Sequence, residues 1–275
     1  MGTLFLVATP IGNLEDISGR ALRTLREAAL IAAEDTRLTR KLLTHYDIHT
    51  PLISYFEHNK LSRLEHILGR LEAGDVALVS DAGTPALNDP GYELVKAAVQ
   101  AGHRVSPIPG PASPVAALVS SGLPTDAFLY LGYLPRRRSE RQAALQGVAD
   151  LPYTIVFLEA PHRLSEALAD MHEVLGDRQA CLARELTKLH EEIWRGTLSE
   201  ASEHFTAPRG EFVLVVHGKQ SEQPPRWTPE RLREVLGKHL AGGQSLTKAA
   251  AELSVESGWR RRDIYKLGAA QEAQR

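Results

Sequence analysis

Val76-Ala-Leu-Val-Ser-Asp-Ala-Gly-Thr-Pro-Ala-Leu-Asn-Asp-Pro-Gly91 is a short apolar run that stops abruptly in a loop of turn-forming residues. Four apolar residues in a row, two of them β-branched, suit a strand buried on both faces, as in a parallel sheet. The loop from Ser80 to Gly91 then holds two prolines, two glycines and two aspartates. Open α/β sheets bind ligands beyond the carboxyl ends of their strands. Asp81 is expected at such a tip, with Gly83 letting backbone approach a ligand and Pro85 and Pro90 stiffening the loop. A plain turn with Asp89 capping the next helix is the simpler interpretation; the density of constrained residues favours the ligand loop.

The same pattern recurs outward from this stretch. Further strands are expected at Leu4–Ala8, Ala29–Glu34, Arg104–Ile108, Ala127–Leu131, Thr154–Glu159, Ala180–Glu185 and Phe212–His217. Between them, Ala21, Leu22, Leu25 and Ala28, and again Leu164, Leu168, Met171 and Leu175, fall at helical spacing. Such alternation predicts an α/β fold with largely parallel sheets. Leu134-Pro-Arg-Arg-Arg-Ser139 suggests a break, giving one α/β domain over 1–125 and a second over 126–218. Residues 219–227 are polar and proline-bearing and read as a linker. Thr228-Pro-Glu-Arg231 then opens a small helical tail of helix-turn-helix length over 228–275, whose Arg260–Arg262 run suits either a nucleic-acid contact or a solvated appendage.

Composition narrows the class. At 275 residues and 43% hydrophobic, the chain has ample apolar content for a core, and its formal net charge is −2, so any polyanion must meet a local basic patch. Cys181 is the single cysteine, which excludes an intrachain disulfide and a cysteine-cluster zinc site. Met1–Ala8 reads as a first strand and not as a signal peptide, and no apolar run reaches membrane-spanning length. A cytoplasmic protein without membrane or metal partners is expected.

Three more loops follow strands. Ala8-Thr-Pro-Ile-Gly-Asn13 is a tight turn that matches neither a Walker loop nor a dinucleotide fingerprint. Ile108-Pro-Gly-Pro-Ala-Ser-Pro-Val115 fixes irregular backbone before a helix. In Ala33-Glu-Asp-Thr-Arg-Leu-Thr-Arg-Lys41, basic residues crowd a helix start, against the dipole preference for anions there. Phosphate is the natural partner for Arg37, Arg40 and Lys41, with Tyr55, Phe56, His58 and Asn59 available to stack on and bond an exposed base. An Arg37 paired with Glu34 or Asp35 is the competing interpretation.

Read together, Thr9-Pro-Ile-Gly-Asn-Leu-Glu-Asp16, Ala33-Glu-Asp-Thr-Arg37, Ser54-Tyr-Phe-Glu-His-Asn59, Ser80-Asp-Ala-Gly-Thr-Pro85, Pro109-Gly-Pro111, Glu159-Ala-Pro-His-Arg163 and Ala183-Arg-Glu-Leu-Thr-Lys188 resemble the ribosomal RNA small-subunit methyltransferase I family of the tetrapyrrole-methylase superfamily. The resemblance covers residues 3–218, and the tail is similar to that family's extension. It implies two α/β domains with S-adenosyl-L-methionine in the cleft between them. It further implies 2′-O-methylation of a decoding-centre cytidine of 16S ribosomal RNA in the small subunit, and a homodimer. Matching positions for the cofactor are Ile11, Asp81, Thr84, Ala112, Ser113 and Ala160, with Gly83 beside them. Glu34, Asp35 and Glu159 are the candidate catalytic bases. A tetrapyrrole-type small-molecule methylase and a nucleic-acid-binding regulator that reads DNA through its tail are the competing functions. The Glu-Asp-Thr-Arg helix and Arg136–Arg138 weigh against the first of these.

Overall fold

A computed structural model describes residues 2–56, 60–89, 91–220 and 226–272, the side chains of 60–62 and 271–272 excepted. The chain folds into two compact units, Met1–Lys219 and Gln220–Arg275.

The larger unit holds two five-stranded sheets. The first contains β1 (Thr3–Val7), β2 (Leu30–Ala33), β3 (Leu52–Ser54), β4 (Val76–Val79) and β5 (Arg104–Ile108), in the order β3-β2-β4-β1-β5. All of its pairings are parallel. Helices α1 (Gly19–Glu27), α2 (Thr36–His45), α3 (Lys60–Ala73) and α4 (Tyr92–Gln100) make the crossovers. The two faces of the sheet carry separate cores. Leu25, Ile31, Ala33, Leu43 and Val79 are buried on one side, and Leu30, Ala32, Ile67, Leu71, Leu78 and Leu94 on the other. Apolar residues on both faces explain why β2 and β4 read as unbroken apolar runs.

The sequence did not reveal β3, and its successor Tyr55 corrects an expectation. Tyr55 is 1% exposed and lies in the core with Ala32 and Ile67, so its ring cannot stack on a base. His58 and Asn59 lie outside the described residues.

Helix α5 (Ser113–Ser121) leaves the first sheet and packs on the second, where Ala117 and Leu118 are buried with Val156, Cys181 and Val213. The second sheet contains β6 (Phe128–Tyr133), β7 (Thr154–Glu159), β8 (Gln179–Arg184), β9 (Glu192–Thr197) and β10 (Phe212–Val216), in the order β6-β7-β10-β8-β9. Only β6 and β7 run parallel in it; β10 is antiparallel to both β7 and β8, and β8 is antiparallel to β9. The expectation of largely parallel sheets therefore holds for the first sheet and fails for the second. Helices α6 (Arg138–Gln146), α7 (Leu164–Leu175) and α8 (Leu198–His204) cover the face opposite α5. Two of the three arginines in the run expected to face RNA are engaged: Arg138 donates to Asp170 and Glu173, and Arg137 pairs with Glu140, while Arg136 is exposed.

The smaller unit is a three-helix cluster of α9 (Pro229–Ala241), α10 (Leu246–Glu256) and α11 (Arg261–Glu272), closed around Leu232, Leu236, Ala250, Leu253 and Ile264. Thr228 and Ser245 cap α9 and α10 by accepting backbone N–H groups. Among the described residues no helix is long and apolar enough to cross a membrane.

Candidate active site

Three loops at the carboxyl ends of the first sheet's strands are sewn together by backbone. Thr9 and Gly83 exchange both N–H···O bonds, at 2.9 and 3.0 Å, and the Thr84 hydroxyl donates to the Pro111 carbonyl at 3.0 Å. The second sheet closes on these loops. A Cβ on Gly12 would sit 2.9 Å from the Leu186 carbonyl and 2.8 Å from Thr187 Oγ1, so the first loop touches the turn after β8 directly. Gly132 has φ +63°, and the Asn88 side chain occupies the space a Cβ would take there. The same loop bends through Ala86 at φ +67° and Asn88 at φ +62°; strained backbone of this kind collects at ligand sites.

Between the loops and the second sheet lies a cavity of about 250 Å³. Ile11, Asp81, Gly83, Thr84, Ala112 and Ser113 line it, together with Glu34. Ala160 is not among the lining residues; its N–H donates to Glu159 Oε1 at 2.9 Å. Asp89 also lines the cavity, and Gly91 takes the cap position of α4 without a side-chain bond, so Asp89 does not serve as that helix's cap.

Residues that sequence reasoning missed complete the wall: Tyr130, Tyr133, Leu158, Leu186, Glu211 and Val213. Tyr130 and Tyr133 are three apart on one strand and should face opposite sides. A register shift between Tyr130 and Gly132 accounts for both reaching the cavity. The buried Tyr130 hydroxyl has no hydrogen-bond partner among the described residues, and burial pushes its pKa up to about 12. A buried polar group of this kind ordinarily has a hydrogen-bond partner, and a ligand atom in the cavity could supply it.

The cavity is negatively charged. Burial first, and then the neighbouring Asp89 and Asp81 carboxylates, push the Glu34 pKa up. Burial and Asp81 do the same to Asp89, against a hydrogen bond from Ser80. Glu211 is neutralised by Lys188, which donates to it at 2.8 Å and to Glu185 at 3.0 Å. Carboxylates that raise one another's pKa favour a cationic ligand. Ala112 and Ser113, where α5 begins with no side-chain cap, also line the cavity, and a helix start of this kind suits an anionic group on the same ligand.

Asp81 also borders a second hollow of about 220 Å³, lined by Thr9, Leu14, Leu38, Lys41, Leu42 and Ser80 among others. Leu14 and Leu38 are 40% and 44% exposed at its rim. Helix α2 presents Leu38, Lys41 and Leu42 on one face, three and four residues apart.

The three candidate bases separate clearly. Asp35 caps α2 by accepting the Arg37 N–H at 2.7 Å, and Arg37 grips both of its oxygens at 3.2 and 2.8 Å. That grip holds the Asp35 pKa down at about 2, which leaves it without proton affinity near neutral pH. Arg37 is thereby the paired arginine of the competing interpretation and not a free phosphate ligand. Glu159 is 2% exposed and held by Ala160 and by Arg163 at 3.5 Å, out of reach of a substrate. Glu34 alone of the three lines the cavity, and the Asp81 N–H lies 3.4 Å from its Oε2. Arg40 and Lys41 are exposed and have no ion-pair partner among the described residues. The same residues show no cluster of acidic, histidine or cysteine side chains able to hold a metal.

Comparison with known proteins agrees with this geometry. Residues 3–202 match the family model described as tetrapyrrole (corrin/porphyrin) methylases. A Synechocystis protein named ribosomal RNA small subunit methyltransferase I is 49% identical, with 99% of each chain covered. A namesake from Halalkalibacterium halodurans is 46% identical over 97% of this chain and 94% of its own. Among solved structures, the uroporphyrin III C-methyl transferase of Thermus thermophilus superposes with a TM-score of 0.56 at 20% identity, covering 78% of this chain and 97% of that one. A second structure of that enzyme, complexed with S-adenyl homocysteine, gives 0.55 at 21% identity, with the same coverage; at these identities the likeness concerns the fold.

Proposed function

The chain belongs to the ribosomal RNA small subunit methyltransferase I family of the tetrapyrrole (corrin/porphyrin) methylases, and on that premise we propose that it is an S-adenosylmethionine-dependent 2′-O-methyltransferase of a cytidine ribose in 16S ribosomal RNA. The observation that carries the reading is the pair of hollows meeting at Asp81, one acidic and one bearing the exposed Lys41.

S-adenosylmethionine, when bound, supplies a methyl group on a sulfonium leaving group. Asp81, Glu34 and Asp89 provide the negative field for its sulfonium and ammonium charges, and the open start of α5 takes its carboxylate. Ile11, Leu158, Leu186 and Val213 give the apolar walls for its adenine. The second hollow receives the acceptor nucleotide, its base between Leu14 and Leu38 and its phosphate on Lys41 and Arg40. Holding the acceptor hydroxyl in line beside the bound cofactor would convert a bimolecular step into an effectively unimolecular one. Glu34 Oε1 takes the ribose hydroxyl proton, because its raised pKa gives it the proton affinity that Asp35 lacks. The assembled small subunit as substrate, a homodimer and a cytoplasmic location belong to the same proposal.

Labelled S-adenosylmethionine, offered with assembled small subunits or with naked 16S RNA, is expected to leave its label on a cytidine ribose; label on a tetrapyrrole, or on no RNA, overturns the proposal. In the same assay Lys41→Ala and Arg40→Ala are expected to raise the RNA KM about 5- to 50-fold each while S-adenosyl homocysteine affinity is unchanged.

The acidic cavity also sets a pH dependence. The folded protein holds protons on Glu34 and Asp89 more tightly than ordinary carboxyls, and a cationic ligand must displace them. Cofactor affinity is therefore full above the raised Glu34 pKa and falls as pH drops through it. Calorimetry across that range with Glu34→Gln should show a weaker and flatter profile; a wild-type affinity independent of pH contradicts it.

A further inference from the structure

The charge on this chain is unevenly divided. Residues 220–275 contain ten Lys and Arg against seven Asp and Glu, leaving 22 against 27 in residues 1–219 of the totals 32 and 34. The larger unit is thus net −5 and the helical unit net +3. A polyanionic substrate is repelled on average by the unit that holds the active site, and its affinity must come from local basic surface.

The helical unit carries such a surface. Helices α10 and α11 are joined by a short turn in which Gly258 adopts φ +67°, a helix-turn-helix arrangement. Beside it lies a hollow of about 520 Å³ whose lining includes Arg226, Arg233, Trp259 and Lys266, with Asp263 as the single acid among the described residues. The Trp259 ring is fixed by its own N–H, which donates to the Trp227 carbonyl at 2.7 Å. The Arg226 guanidinium lies over that ring, 4.0 Å from its centroid. Arg260, Arg261 and Arg262 are exposed and have no carboxylate partner among the described residues, and Arg262 precedes Lys266 by one turn of α11. Tyr265, 47% exposed, stands between them in sequence. A rigid, partly buried aromatic stacked with arginine, an exposed ring and a row of cations without carboxylate partners among the described residues are the elements of a single-stranded nucleic-acid surface, in which cations follow the phosphates and rings receive bases.

We propose that the C-terminal helical unit is an RNA-binding module, with Arg226, Trp259, Arg261, Arg262 and Lys266 as its contact residues. The proposal rests on RNA being the substrate, but it concerns affinity and not methyl transfer. The test uses the full chain carrying Arg261→Gln, Arg262→Gln and Lys266→Gln together, and separately Trp259→Phe, which keeps an aromatic core contact and removes the indole. Binding to a 16S-derived RNA hairpin is measured over a salt series, with S-adenosyl homocysteine affinity and thermal melting as controls for the fold. The triple variant is expected to bind RNA at least 10-fold more weakly, with the slope of log K against log salt reduced by about 2, the loss of three phosphate contacts. Trp259→Phe should weaken binding with the slope unchanged. Unaltered RNA affinity and salt slope in the triple variant overturn the proposal, even where the wild type methylates RNA normally. A wild type that binds the hairpin through these residues but methylates no RNA upholds the module and removes the methyltransferase reading instead.

Discussion

Replacing Asp170 by asparagine is expected to destabilise the protein by about 3–5 kcal/mol, read as a lower urea midpoint at constant slope. Asp170 lies on α7 and is buried, and its Oδ2 accepts from the equally buried Arg141 Nε at 2.6 Å. Its Oδ1 accepts from Arg138 at 3.0 Å and from Gln142 at 3.1 Å. Burial alone pushes the Asp170 pKa up, yet the hydrogen bonds from Arg141 and Arg138 hold it below the ordinary carboxylate value. The sign follows: this stabilisation is present above the ordinary carboxylate range and is lost as pH falls through the lowered pKa. Without the carboxylate, Arg141, 2% exposed, loses its short buried partner and keeps only the solvent-exposed Glu166 at 3.4 Å and the Arg136 carbonyl at 3.2 Å. The double variant Arg141→Met, Asp170→Leu removes both charges and should recover most of the loss. A single variant within about 1 kcal/mol of wild type, or a double variant that loses more than the single, contradicts the argument.

The same clasp shows what local sequence could not convey. Arg136–Arg138 looked like a surface for a polyanion because the acids that bind Arg138 come 32 and 35 residues later. The parallel first sheet was legible, since burial on both faces writes itself as apolar runs at Val76–Val79 and Leu30–Ala33. The second sheet was not, because β10 inserts between β7 and β8 and strand direction leaves no local signature. The loops that line the cavity were visible through their prolines and glycines at strand ends. Tyr130 and Tyr133 were hidden because a bulge redirects them. Tyr55 was misread because a tyrosine beside a polar run gives no sign that β3 turns it into the core.

Asp81→Ala is expected to lower cofactor affinity at least 100-fold, about 2.7 kcal/mol, and methyl transfer with it. Two roles meet in this side chain, and they can be separated. Its Oδ1 accepts the Asp35 N–H at 2.8 Å, which ties the start of α2 to the loop after β4. Its charge borders both hollows and raises the pKa of Glu34 and of Asp89. Asparagine keeps an oxygen for the Asp35 N–H and removes the charge. If the field of the carboxylate binds the cation, Asp81→Asn should lose at least 10-fold in affinity while its melting temperature stays at the wild-type value. If scaffolding is what matters, Asp81→Asn should bind normally and only Asp81→Ala should fail. The two carboxylates that remain decide between these outcomes in a second way. Removing the Asp81 charge relieves the repulsion on Glu34, so in Asp81→Asn the pH at which residual affinity falls away should move down toward the ordinary glutamate value. Calorimetry that finds Asp81→Ala binding S-adenosyl homocysteine and S-adenosylmethionine as tightly as wild type would remove Asp81 from the cofactor site, and with it the reading of two hollows that share one carboxylate.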